Sequence, residues 1–307
     1  MTTIEELGLL KMDFLGLRNL TIISDAIENI KLNQDVDLDL EHLELDDKAS
    51  YDLLASGDTL GVFQLDGGPM RSLLKLMRPD NFEDISAVIA LYRPGPMGAN
   101  SHTNYALRKT GQQEITPIHP ELEEPLAEIL GTTYGLIVYQ EQVMLLSRKL
   151  ADFTRGEADT LRKAMGKKII DLLNSLKDKF INGGIKNGHP QEILEKIWKD
   201  WVKFASYAFN KSHATCYAWV SYQTGWLKAH YPAEFQAANL TKNLSNMDEI
   251  KKIMDDCKKN GIKVLNPDIN ESDARFTVNK QGEIRFGLGG IRSFGDNICL
   301  LYTSDAA

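Results

Sequence analysis

Leu161-Arg162-Lys163-Ala164-Met165-Gly166-Lys167-Lys168 places four cations inside a segment whose apolar residues recur at helical spacing. At about 100° per residue, Arg162, Lys163 and Lys167 share one arc, and Arg155 joins it if the helix starts early enough. Leu161, Met165, Ile169 and Leu172 fall on the opposite side. Such a helix docks its apolar back on a core. Its cationic front then meets a polyphosphate or a nucleic-acid backbone, where Arg forks bidentately and Lys acts as a point charge. Lys168 sits off the arc. A solvated helix face with its ordinary complement of Lys and Arg is the competing reading of this segment taken alone.

The rest of the chain supplies the body on which that helix would dock. Its 307 residues are 43% hydrophobic and 25% charged, the composition of an ordinary globular protein with a sizeable core. Most periodic segments between Met70 and Lys259 are helical, so the expected class is α+β and predominantly α-helical. A net charge of -8 excludes a uniformly basic nucleic-acid coat, so any DNA binding must come from local positive patches. Cys216, Cys257 and Cys299 match neither a zinc pattern nor an even disulfide set, which suits a reducing compartment. With no apolar run of membrane-spanning length and no leader pattern, the expected location is the cytoplasm.

Toward the amino end, Leu10, Met12 and Phe14 alternate with Lys11 and Asp13, which reads as a strand exposed at a sheet edge over Leu7 to Phe14. Leu17, Leu20, Ile23, Ile27 and Ile30 then recur as an amphipathic helix. Asp13 with Lys11 on its face could hold a divalent metal while the amine neutralises a phosphate; a plain surface ion pair is the alternative. The acidic run Asp35 to Asp47 lacks the glycine turn of an EF-hand and reads as a solvated connector. Thr59 to Leu65 has strand-like composition. Arg93 stands before two prolines, Pro94 and Pro96, in what reads as a rigid loop aimed at a backbone partner. Gln140 to Leu150 reads as a helix, opened by Glu141, whose charge suits the dipole.

Toward the carboxyl end, Glu192 to Phe204 and Met247 to Asn260 read as helices. Between them Ser212 reads as the cap of a helix whose first turn carries Lys211. His213 and Tyr217 lie one turn apart on a face that could stack on a base or ribose. A packed aromatic helix is the alternative, since Trp219, Tyr222 and Trp226 continue the pattern. Val264 to Phe286 is strand-like with turns.

Assembled in order, Lys11-Met12-Asp13-Phe14-Leu15-Gly16-Leu17-Arg18, Gly61-Val62-Phe63-Gln64, Arg93-Pro94-Gly95-Pro96, Tyr139-Gln140-Glu141-Gln142, Leu161 to Lys168, Phe209-Asn210-Lys211-Ser212-His213-Ala214 and Lys228-Ala229-His230-Tyr231-Pro232 resemble successive signature blocks of the alpha subunit of bacterial DNA polymerase III, the C-family replicative polymerase. The resemblance implies that residues 1–30 are the end of a palm domain and residues 31–255 the fingers. Residues 256–297 would form a strand-rich segment leading into a helix-hairpin-helix-like start, and residues 298–307 a non-native tail. It further implies Asp13 as a palm metal ligand with Lys11 beside the phosphates, and Arg162, Lys163 and Lys167 on the triphosphate of the incoming nucleotide. His213 and Tyr217 would flank the nascent base pair, with Arg93 and Lys211 on DNA. The implied cofactor is Mg²⁺, two ions in the intact enzyme. The implied partners are primer-template DNA, dNTP, a sliding clamp and other replisome subunits. A D-x-D carboxylate pair that the family carries is not found in this sequence, so the chain alone is expected not to polymerise DNA. A non-catalytic nucleic-acid-binding module is the alternative function.

Overall fold

The computed structural model describes residues 7–10, 12, 16–116, 119, 122–166, 169–205 and 208–291. The fold is α+β and predominantly α-helical, with 63% of the described residues in helix and a small three-stranded sheet. The chain divides into two units, Asp39–His230, and Met1–Leu38 together with Tyr231–Ala307.

Helix α1, Arg18–Gln34, buries Ile22, Ile23, Ala26 and Ile30. Leu20, which the spacing places on the core face, is exposed, and Ile22 takes its place. The helix stops at Asp35, whose left-handed backbone (φ 58°) returns its N–H to Lys31. The acidic stretch that follows is a surface loop in which Asp37 pairs with Lys31 and Asp39 with His42.

The unit Asp39–His230 contains α2 (Lys48–Ser56), α3 (Gly68–Met77), α4 (Phe82–Leu91), α5 (Pro94–Gly98), α6 (Ser101–Lys109), α7 (Glu123–Leu130), α8 (Gln140–Ala151), α9 (Arg155–Gly166), α10 (Ile170–Lys186), α11 (Gln191–Phe204) and α12 (Lys211–His230). Two apolar cores hold it. One gathers Leu54, Val62, Leu74, Val88 and Tyr222 around α12. The other gathers Leu146, Leu161, Met165, Phe180, Trp198 and Trp201, with the last three rings packed 4.8–6.1 Å apart. In the first core Asp84 is fully buried and bonds both Lys109, at 3.0 Å, and the hydroxyl of Tyr105, at 3.1 Å.

Helix α9 starts from a reciprocal cap. Thr154 Oγ1 accepts the N–H of Glu157, and Glu157 Oε2 accepts the N–H of Thr154. Lys179 of α10 donates to the other carboxylate oxygen. The apolar back of α9 is buried as its spacing requires, at Ala158, Leu161, Ala164 and Met165. The helix does not run on to Leu172: it ends at Gly166, Ile169 is exposed, and a new helix begins at Ile170.

The unit that pairs the two ends adds α13 (Pro232–Lys242), α14 (Met247–Lys259) and the strands β1 (Val264–Leu265), β2 (Thr277–Val278) and β3 (Ile284–Arg285). The sheet order is β1-β3-β2, parallel for β1–β3 and antiparallel for β2–β3. Buried Glu234 of α13 accepts from Asn33 and Gln34 at the end of α1, which fixes those two helices.

Three expected elements differ. Thr59 to Leu65 is a succession of turns, because Gly61 (φ 82°) and Gln64 (φ 62°) both take left-handed backbone that a strand excludes. Arg93-Pro94-Gly95-Pro96 opens the short helix α5, with Pro at its first position and Arg93 as its N-cap residue. Leu7 and Gly8 form a turn, and Leu9 and Leu10 are exposed outside any strand. Met12 is likewise exposed and outside any strand, while Lys11, Asp13 and Phe14 lie outside the described residues, as do residues 298–307.

Two outcomes follow from the packing around α9. A Cβ on Gly183 of α10 would stand 2.5 Å from the carbonyl oxygen of Ala151, a backbone atom that cannot step aside. Gly183→Ala is therefore expected to destabilise the protein by about 1–3 kcal/mol in denaturant unfolding, despite alanine's better helix propensity. The hydrogen bonds from Lys179 and Thr154 hold the Glu157 carboxyl at about 2, below its ordinary 4.5. Since the folded value is the lower one, the ionised cap stabilises the fold above about pH 4.5 and is lost as pH falls toward 2. Unfolding midpoints of wild type and Glu157→Gln, separated at neutral pH, are expected to converge across that window.

Candidate functional site

The site is built on α12. Its residues Ser221, Thr224 and Lys228 are buried and polar, and each bonds the backbone of the 59–65 turn: Ser221 Oγ donates to Phe63 O at 2.9 Å, Phe63 N–H to Thr224 Oγ1 at 3.1 Å, and Lys228 Nζ to Leu60 O at 3.0 Å. These bonds replace the ladder a strand would have used. They also hold the ring of Phe63 5.3 Å from Tyr217.

From there the rings continue along α12 toward its amino end. Tyr217 lies 4.3 Å from His213, His213 lies 5.4 Å from Phe209, and the guanidinium of Arg93 sits 4.1 Å over the Phe209 ring. Arg93 Nε also donates to Ala90 O, and partial burial lowers its affinity for a proton without discharging it. Phe63 is buried, Phe209 and Tyr217 are half-buried, and His213 is exposed. Sequence places His213 and Tyr217 on one face; the structure adds Phe63, Phe209 and Arg93 to the same row.

The amino end of α12 is held by α8. Asn210, not Ser212, is the cap: its Oδ1 accepts the N–H of His213 at 2.8 Å, and Ser212 lies within the first turn. Glu141 Oε1 accepts from Asn210 Nδ2 and Glu141 Oε2 from the N–H of Lys211, both at 2.9 Å. The N–H of Gln140 donates to Phe209 O at 2.8 Å, in a bridge that pairs Tyr139 with Phe209. Lys211 Nζ stands 3.3 Å from Glu83 and 5.6 Å over the ring of Tyr139.

The cationic helix meets the same junction. The side-chain amide of Gln140 lies 3.5 Å from where a Cβ on Gly166 would stand, so the last residue of α9 abuts the first residue of α8. Arg162 and Lys163 lie four and three residues back, about 4.5–6 Å along the axis. Both reach one carboxylate: Arg162 donates to Asp159 Oδ1 at 2.8 and 3.0 Å, and Lys163 to Asp159 Oδ2 at 2.8 Å. Those bonds, Lys163 first, hold Asp159 below the usual carboxylate range. Arg162 is half-buried and Lys163 exposed. Lys167 lies outside the described residues, as do Lys11 and Asp13.

Among the described residues no three His, Cys, Asp or Glu side chains converge as a divalent ion requires, so these residues do not fit the Mg²⁺ pair. No helix among them is long and apolar enough to cross a membrane. A cavity of about 240 Å³ opens elsewhere in this unit, lined by Leu126, Ile137, Leu146, Ile197 and Trp201 with His119 and Asp200; it shares no residue with the row of rings.

Sequence reasoning missed two participants. Asp159 stands three and four residues before Arg162 and Lys163, a spacing that signals a helical ion pair. Glu141 reads locally as serving its own helix only; nothing near it in sequence points to a partner 70 residues away.

Comparison with known proteins agrees with the blocks from which the site is built. Residues 19–188 match the model described as "Bacterial DNA polymerase III alpha subunit finger domain", and residues 261–300 match a helix-hairpin-helix motif, whose last nine residues lie outside the described set. Proteins named "DNA polymerase III subunit alpha" are similar over nearly the whole chain. The one from Mycobacterium tuberculosis H37Rv is 57% identical over 96% of this chain, that of Aquifex aeolicus 50% over 96%, and that of Escherichia coli K12 45% over 95%. The chain spans about a quarter of the length of these relatives, 25%, 25% and 26%. With more than half of its residues inside the fingers model, the chain belongs to the family of bacterial DNA polymerase III alpha subunit finger domains.

Proposed function

We propose that this segment is the fingers region of a DNA-directed DNA polymerase, which grips the incoming dNTP while primer-template DNA lies alongside. The observation that carries the reading is the junction at Gln140, where the carboxyl end of the cationic helix α9 and the ring-bearing amino end of α12 meet although about 50 residues separate them in sequence. A nucleotide, with phosphates at one end and a base at the other, calls for cations and rings near one junction.

In this reading Arg162, Lys163 and Lys167 bind the triphosphate and stabilise charge developing on pyrophosphate as it leaves. His213, clamped between Phe209 and Tyr217, and Tyr217 itself border the base. Arg93 and Lys211 contact the DNA backbone. Asp13 and Lys11 would serve the palm, where Mg²⁺ in the intact enzyme supplies charge neutralisation for the transfer. The division into palm end (1–30), fingers (31–255) and a segment entering the helix-hairpin-helix region (256–297) belongs to the same proposal, as do the clamp and other replisome subunits as partners of the longer protein. Cytoplasmic location follows from that role.

In an intact alpha subunit carrying these residues, Arg162→Ala or Lys163→Ala is expected to raise the dNTP KM and lower kcat, by about tenfold in kcat/KM for each lost contact. Tyr217→Ala is expected to change the ratio of correct to incorrect incorporation more than phosphate affinity. Arg93→Ala is expected to weaken primer-template binding and reduce the slope of log affinity against log salt by about 0.9. Unchanged nucleotide kinetics in the Arg162 and Lys163 variants, with DNA binding still salt-dependent, would instead favour a purely nucleic-acid-binding module.

A further inference from the structure

We propose that Glu141 is a positioning residue for nucleotide binding: it fixes the rings of α12 to the end of the cationic helix by holding Asn210 and Lys211. This rests on the fingers reading above.

Both oxygens of Glu141 are committed. Oε1 accepts from Asn210 Nδ2 and Oε2 from the N–H of Lys211. The orientation of the Asn210 amide is set independently, because its Oδ1 accepts the N–H of His213 and its nitrogen must therefore face Glu141. One carboxylate thus serves two helices. It sits in the first turn of α8 and on the first N–H of α12, so two positive helix ends share its charge. Asn210 in turn bonds the backbone of His213 itself.

What this bracket aligns is specific. Gln140, the neighbour of Glu141, packs its side-chain amide near Gly166 of α9 and donates its N–H to Phe209, two residues before α12. If Glu141 let go, the α12 end could rotate about the Gln140–Phe209 bond, and the distance from the α9 cations to His213 would no longer be fixed. The fully buried apolar contacts of α12 lie farther along the helix, at Ala214, Ala218 and Tyr222, and leave the backbone of 210–211 to Glu141. Glu141 is assigned no chemical step: its two oxygens accept from Asn210 and from Lys211.

Hydrogen-bond polarity makes the role testable. In Glu141→Gln, whichever way the new amide turns, its nitrogen confronts a donor, either Asn210 Nδ2 or the Lys211 N–H. In Asn210→Asp, two carboxylates face each other. In the double variant, Glu141→Gln with Asn210→Asp, the new amide nitrogen donates to the new carboxylate and the amide oxygen accepts from the Lys211 N–H. The second oxygen of that carboxylate still caps His213, and net charge is unchanged. Measured as steady-state incorporation by an intact alpha subunit, each single variant is expected to raise the dNTP KM about tenfold with kcat changed less than about threefold, and the double variant to return to within about threefold of wild type.

Thermal melts of the same preparations establish that the proteins are folded. Should Glu141→Gln melt too early, Glu141→Asp replaces it: one methylene shorter, it keeps the charge but cannot reach both donors, and a raised KM is again expected. A folded Glu141→Gln with unchanged KM, beside a Tyr217→Ala control whose KM or incorporation ratio shifts, overturns the positioning role while leaving the fingers reading intact. A double variant as defective as the singles overturns it too. Indifference of both the Arg162→Ala and Tyr217→Ala controls removes the fingers reading, and this inference with it.

Discussion

The arrangement of the larger unit depends on α12 satisfying another segment's backbone. A buried turn cannot leave its N–H and C=O groups unpaired without a cost of about 1–3 kcal/mol for each. The 59–65 turn avoids that cost by bonding Ser221, Thr224 and Lys228 rather than a neighbouring strand. Tyr222 and Gln223 do the same for Glu44 and Leu40. A helix that buries polar side chains on several faces has no apolar stripe, yet its depth and rotation are fixed more tightly than a stripe would fix them, because each bond has one geometry. Tyr217, His213 and Phe209 inherit that register.

Register of this kind is what a recognition surface needs. The row from Phe63 to Arg93 consists of four successive contacts, three between rings and one between a cation and a ring, each worth about 0.5–1.5 kcal/mol beyond simple burial. Only His213 in the row is exposed. Its ring is held on both sides by Phe209 and Tyr217, so on the proposed reading little rotamer entropy would remain to be lost on binding.

How much of this is legible in the sequence depends on range. The helices are, because 3.6-residue spacing is a local signal and α8, α11 and α14 begin and end within two residues of where their spacing puts them. The turn at 59–65 is not: Val, Phe and Leu give it the composition of a strand, and what makes it a turn is a glycine in left-handed backbone together with partners about 160 residues away. Arg162 and Lys163 are legible as one face. The break after Gly166 is not, since Ile169 and Leu172 continue the apolar spacing across a boundary that packing imposes. Asn210 is hard to see as the cap because Ser212 offers an equally good side chain two residues later, and only the geometry of Glu141 decides between them.

The acidic balance of the chain gives the cations a further property. Arg162 and Lys163 share the single carboxylate of Asp159, and Lys211 stands beside Glu83. These are exposed or partly exposed pairs, screened by solvent, so they keep the cations ordered without binding them irretrievably. An anion approaching Arg162 and Lys163 competes with Asp159 for the donors that carboxylate occupies. A singly charged anion gains little by that exchange, because it offers the two cations no more than Asp159 already does. A polyphosphate gains more, since several oxygens can engage both cations together and no second side chain need be ordered to do so. On the proposed reading, the acid beside the cations, and not the cations alone, sets how much charge an anion must bring to compete for them.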